Sequence, residues 1–374
     1  MCFSPLDNSA LVASNEENVV TRNVDSEACK SKFTATTETT GNTSSAQENE
    51  TSGLSVIREL YQRQGLEEAT IDIIMNSWRP GTKTQYETYV NSFMRFSTDR
   101  YGVFKPSLYT GLSFLTSLAT QQYSYNQIAM ARSALSTIID LNTSNTFGKH
   151  PHVKRFMKGI FESKPVLPRY TSVWNVKQVL DFMKKSKNSA LSTLQLGKKL
   201  ALLLAIISGG QRAQTIHSID VLDIRILGDK CMIPIYDKLK QTRPGKHLNP
   251  LEFNVFTEEP SLCVVTTLKD YLARTAPHRK FSKLFLTSQK PYTPVSKDTI
   301  SRWCKDVLKE AGIDITKYSS HSTRFASSSY LENRGVSLKR ICRAAGWSKA
   351  RTFQRHYCKS IVEEEEDIQS MFLN

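Results

Sequence analysis

The 374-residue sequence predicts a mainly α-helical chain with one small antiparallel β-sheet, on three observations. Apolar residues recur at helical spacing through most of the chain from Leu54 onward. Strand-like alternation is confined to the neighbourhood of residues 221–253, in segments too short for more than a small sheet. Pro165 and Pro168 interrupt the helical pattern and divide it into two folded parts.

Residues 1–53 are rich in Ser, Thr, Asn and Glu and poor in large apolar side chains, a composition that predicts a disordered tail. Helices follow over 54–162. Trp78-Arg79-Pro80-Gly81-Thr82 reads as a helix stop and a new start, after which Tyr86, Tyr89, Val90, Phe93 and Phe96 share a face expected to be buried. Further apolar periodicity over 107–121, 124–141 and 151–161 completes an all-helical domain. Residues 163–172 read as the linker, and 173–374 as a second domain. That domain opens with helices near 174–186 and 192–208. Strands are expected at Val221–Ile226, Cys231–Tyr236 and Leu248–Phe253, and helices again at 261–274, 297–311 and beyond.

Charge narrows the partners. The formal net charge is +15, but residues 1–53 hold eight of the 35 acids and three of the 50 bases, so the rest of the chain is more basic still. A folded body with such an excess suits a polyanion, because each phosphate it neutralises releases condensed counterions. Lys83, Arg132, Lys154, Arg155 and Lys158 in the helical domain are candidate phosphate contacts. The seven cysteines form no C-x-x-C pair, and no Gly-rich phosphate loop is present. Neither a metal site nor a cofactor is predicted. The longest apolar run, Leu200–Ile207, is far shorter than the ~20 residues a bilayer requires, so no membrane association is expected.

The chemistry-bearing residues lie in the second domain. Arg212 follows a Ser208-Gly209-Gly210-Gln211 turn, Lys240 lies in a hairpin candidate, and His321, Arg324, Trp347 and Tyr357 come in that order. Cleaving and resealing DNA without ATP requires the phosphodiester energy to be held covalently, and a side-chain nucleophile can do this. A Tyr hydroxyl, with an ordinary pKa of about 10, must lose its proton as it attacks phosphorus. Planar guanidinium forks match the charge that gathers on the non-bridging oxygens better than a Lys point charge does. An imidazole can take a proton, an indole N–H can donate to the phosphate, and a Lys can protonate the leaving oxygen. Each residue type by itself is commonplace packing or surface. The order and context together carry the signal.

In that order and context the chain resembles the tyrosine recombinases, the phage-integrase family. Ile207-Ser208-Gly209-Gly210-Gln211-Arg212, the Asp237–Gly245 hairpin, and the continuous segment from His321 to Tyr357 carry the resemblance. It implies an all-helical core-binding domain followed by a mixed α/β catalytic domain. It also implies Tyr357 as nucleophile, Arg212 and Arg324 as phosphate clamps, His321 as general base or phosphate donor, and Trp347 as a further donor. Lys240 would be the general acid, with Lys238 and Lys246 as the other choices. Implied partners are double-stranded DNA and a homotetramer on paired sites, with a monomer or weak oligomer off DNA.

Ser77–Ser97 and Val153–Phe161 are similar to recombinases of eukaryotic Crypton and DIRS mobile elements, which implies integration or excision and a nuclear location. Thr215 stands where many members carry an acid, Trp347 replaces the commoner His, and the Trp347–Tyr357 interval is one residue longer than in most bacterial members. A type IB topoisomerase and a domesticated, non-catalytic DNA-binding protein remain open readings. Ile368, Met371, Phe372 and Leu373 suggest a C-terminal tail that docks on a neighbouring subunit.

Overall fold

The computed structural model describes residues 52–98, 104–142, 146–165, 167–348 and 350–362. The tail expectations for residues 1–51 and 363–374 lie outside the described residues. The chain divides into two compact units, Met1–Pro165 and Val166–Asn374.

The first unit is helical: α1 (Gly53–Arg63), α2 (Glu68–Met75), α3 (Pro80–Ser97), α4 (Leu108–Thr120), α5 (Tyr125–Asn142) and α6 (Pro151–Ser163). Ser52 caps α1 through its hydroxyl, Pro80 and Pro151 open α3 and α6, and Ser107 with Thr110 forms a capping box on α4. These start signals satisfy or remove N–H groups that a helix end leaves unpaired. Tyr89, Val90 and Phe93 of α3 are buried against Phe114, Leu115, Ile138 and Ile139. Phe96 is a correction: it is 46% exposed, though its ring touches Phe114 at 5.4 Å. It falls about 80° around the helix from Tyr86, at the margin of the apolar stripe.

The second unit is built around α8 (Thr193–Ile207), which follows β1 (Ser172–Val173) and α7 (Val176–Lys184). From Leu200 to Ile206 every residue of α8 is buried, as expected of a helix that is apolar all round. Around it pack α10 (Val264–Thr275), α11 (Lys297–Glu310) and α12 (Ser322–Asn333), while α9 (Ala213–His217) leads toward the sheet. The sheet is antiparallel, in the order β2 (Arg225–Leu227), β3 (Lys230–Ile233), β4 (Leu251–Asn254). Its strands are shorter than the alternation predicts. Residues 221–223 form a turn instead, in which Asp220 accepts the N–H of Leu222 and Val221 donates to the Ser282 carbonyl.

The chain ends in α13 (Leu338–Ala345), α14 (Ala350–His356) and β5 (Ser360–Ile361). β5 pairs in parallel with β1, a ladder the sequence does not foreshadow because neither two-residue segment has a period to read. Tyr170 is buried and Ser172 is paired, so the folded part of this unit begins before residue 173. No described helix is long and apolar enough to cross a membrane.

Candidate active site

The six candidate catalytic residues come from four stretches of the second unit. Arg212 stands at the N-cap of α9, one residue beyond the Gly209-Gly210 turn that follows α8. Both glycines have positive φ, and a Cβ on Gly210 would lie 2.9 Å from the Arg324 Cα. The absence of a side chain therefore lets the Arg212 turn lie directly against α12.

His321 is the N-cap of α12 and Arg324 lies in its first turn. This helix is buried yet rich in small polar residues, among them Ser322, Thr323, Ser327, Ser328 and Ser329. Their size lets it sit deep, and several hydroxyls are satisfied by nearby carbonyls: Ser322 donates to Ser319, Thr323 to Ser320 and Ser328 to Arg324. Arg324 is fully buried. Its Nη1 donates to the Gly210 carbonyl at 2.5 Å and its Nη2 to the Ala345 carbonyl at 3.2 Å.

Trp347 and Tyr357 belong to a small core of their own with Ile341, Cys342, Ala345 and Phe353. Gly346, in the left-handed region at φ +71°, caps α13 and turns the chain into Trp347. The Trp347 and Tyr357 rings lie 4.4 Å apart between centroids, and the Arg324 guanidinium sits over both, at 4.9 Å and 5.6 Å. The aromatic faces turn their negative quadrupole toward the cation. The Tyr357 phenol interacts with both Arg212 and Arg324.

Lys240 lies in the long connection from β3 to β4, exposed, near a tight turn closed by Arg243 and Lys246. Of the three lysines left open by the sequence, Lys240 is the one whose charge bears on His321. The next residue, Gln241, was not singled out from the sequence. Its side-chain oxygen accepts a hydrogen bond from Arg212 Nη1, which fixes that guanidinium. Its place beside Lys240 in the hairpin was the available signal.

The site is strongly and unevenly positive. Among the described residues, no acidic side chain forms an ion pair with Arg212 or Arg324. Burial, and then the charge of Arg212, lowers the Arg324 pKa to about 9, which leaves it charged at neutral pH. Burial likewise lowers that of Arg212, with Tyr357 opposing. His321 keeps much of its surface open to solvent, but protein crowding and the charges of Arg324, Arg212, Lys240 and Arg169 press its pKa down to about 3. It is therefore a neutral imidazole at pH 7. Among the described residues, the buried donors Trp347 Nε1, Arg324 Nε and Gln241 Nε2 around the site have no hydrogen-bond partner. Buried cations without counter-charge and donors without acceptors are both costly, and an oxyanion satisfies both.

The candidate DNA contacts lie in the first unit. Lys154, Arg155 and Lys158 are exposed along α6, and Arg155 and Lys158 border a shallow groove with Gly159 and Glu162. Lys83 on α3 donates to Asn76 at 3.0 Å. Arg132 on α5 is half-buried and acts electrostatically on Tyr86.

A tyrosine packed under one guanidinium, its phenol interacting with a second, on a helical scaffold with one small antiparallel sheet, is the arrangement of a tyrosine recombinase. Residues 172–364 match the family model described as the phage integrase family, and the chain belongs to that family. Among solved structures it is similar to XerH site-specific recombinase bound to difH substrate in a pre-cleavage complex. That likeness has a TM-score of 0.55 and 15% identity and covers 85% of this chain and 95% of that one. It is similar also to the Tn1549 transposon integrase in complex with transposon right end DNA, at TM-score 0.54 and 13% identity, covering 86% and 98%. At these identities the likenesses concern the fold. No curated protein matches the sequence.

Proposed function

We propose that this protein cleaves and rejoins DNA strands at specific sites, with Tyr357 as the nucleophile. The phenol oxygen attacks a backbone phosphorus while the bond to the 5′ oxygen breaks. This leaves a 3′-phosphotyrosyl link and a free 5′ hydroxyl. Attack on that link by a 5′ hydroxyl from a partner duplex restores the phosphodiester and frees the tyrosine.

The observation that carries this reading is the unbalanced positive charge around Tyr357, together with Trp347 Nε1 and Arg324 Nε, donors of two side chains packed on its ring that have no partner among the described residues. Arg212 and Arg324 would hold the non-bridging oxygens, with Trp347 Nε1 adding a donor. Neutral His321 can accept the phenolic proton or hydrogen-bond the phosphate, and an arriving anion would raise its basicity. Lys240, on an exposed connection, is suited to give a proton to the leaving 5′ oxygen.

The proposal extends to duplex DNA as substrate, with Lys83, Arg132, Lys154, Arg155 and Lys158 contacting phosphates, and to a homotetramer on paired sites. It extends also to integration or excision of a mobile element in the nucleus, a reading that rests only on the sequence resemblance of residues 77–97 and 153–161 to Crypton and DIRS recombinases. The test is covalent capture on a pool of nicked duplexes with a randomised core. Wild type should yield a denaturant-resistant protein–DNA adduct and Tyr357→Phe none; absence of an adduct from wild type across the pool would refute the proposal.

A further inference from the structure

We infer that Tyr170–Trp174, the segment that opens the folded part of the second unit, is a positioning clamp that sets His321 and Tyr357 relative to each other. The consequence for catalysis rests on the strand-cleaving reading above; the positioning itself does not. The His321 turn and the Tyr357 segment are far apart in the chain, and their register depends on what touches both.

On the His321 side, two hydrogen-bond paths converge on Ser319, two residues before the imidazole. Tyr170, 3% exposed, has its hydroxyl 2.9 Å from the Ser319 Oγ and accepts the Ser319 N–H at 3.2 Å. Trp174, also 3% exposed, donates its Nε1–H to Ser322 Oγ at 2.8 Å, and Ser322 Oγ donates onward to the Ser319 carbonyl at 2.6 Å. The turn that carries His321 is thus pinned at both ends by aromatic side chains of one five-residue segment.

On the Tyr357 side the same segment acts through its backbone. Ser172 and Val173 pair with Ser360 and Ile361, and Val362 donates to the Val173 carbonyl at 2.7 Å. The tyrosine is tied in addition to the His321 helix, because Ser329 Oγ donates to the Tyr357 carbonyl and accepts the Lys359 N–H, both at 3.1 Å. Phe325 joins the two sides. Its ring lies 5.3 Å from Tyr170, 5.8 Å from His321 and 4.7 Å from Tyr357. The Trp174 N–H and the Tyr170 hydroxyl are therefore positioning groups, with no contact to the reacting atoms themselves.

Trp174→Phe, which keeps a ring and removes the N–H, and Ser322→Ala, which removes its acceptor, test the inference in the full-length protein. The first readout needs no DNA: the ring titration of His321 followed by NMR. In wild type the imidazole should stay neutral well below the ordinary value of about 6.5, and in either variant its midpoint should move up toward that value as the ring leaves the cation cluster. The second readout is single-turnover adduct formation on the nicked pool, which should slow about 10-fold or more with DNA retention unchanged. The double variant should be no slower than the worse single one. If Trp174→Phe does not fold, Ser322→Ala is read in its place. Unchanged His321 titration in the folded variants overturns the clamp. Movement of the ring without any adduct from wild type upholds the clamp and refutes strand cleavage.

Discussion

The Gly210 carbonyl accepts a 2.5 Å hydrogen bond from Nη1 of Arg324, and a Cβ on Gly210 would stand 2.9 Å from the Arg324 Cα. The turn that delivers the first arginine thus also orients the second. Gly210 has φ +88°, so Gly210→Ala meets a backbone clash and an unfavourable conformation together. Strain of this kind costs about 1–3 kcal/mol, and urea unfolding should show a loss at or above that range. An unchanged midpoint would mean that the two turns can separate without cost.

Trp347 combines a packing surface with an N–H that has no partner among the described residues, and the two can be separated. Trp347→Phe should keep most of the stacking on Tyr357 and Phe353 while slowing single-turnover cleavage by about 10²-fold, the usual scale for one lost oxyanion donor. Trp347→Ala should lower stability by about 3–5 kcal/mol through the cavity it leaves. Equal cleavage rates for Trp347→Phe and wild type would assign the indole to packing alone.

The pH dependence of stability follows from His321. Its pKa is about 3 in the folded protein and about 6.5 when unfolded, so between those values the unfolded chain binds more protons. Its contribution therefore disfavours folding at acid pH, diminishes as pH rises through that window and vanishes above about 6.5. His321→Gln should be stabilised relative to wild type at pH 5 and little changed at pH 8. Parallel stability curves for the two proteins would contradict this.

Lys154, Arg155 and Lys158 lie exposed on one helix, where each can neutralise a phosphate. Replacing any one by Ala should flatten the slope of log affinity against log salt by about 0.9, largely independent of DNA sequence. Unchanged slopes would remove α6 from the DNA-contacting surface.

Much of this architecture was legible in the sequence because it is written locally. The helix starts at Pro80, Ser107, Pro151 and Ser192, the apolar stripe of α3 and the continuous apolar run of α8 need no tertiary knowledge. The catalytic candidates could be chosen because their residue types, order and turns are distinctive. The parallel pairing of Ser172–Val173 with Ser360–Ile361 was not legible, since it depends on long-range placement of two very short segments. Gln241 and Ser329 were overlooked for a related reason. An ordinary Gln or Ser shows its role only when the fold sets it beside Arg212 or the Tyr357 carbonyl.

The most direct test of the account is to locate the covalent bond. Wild-type protein captured on nicked duplex DNA would be digested with protease and nuclease, and the peptide that retains a nucleotide sequenced by mass spectrometry. The account predicts one modified residue, Tyr357, joined to a 3′-phosphate. Attachment at another residue, or to a 5′-phosphate, would contradict it.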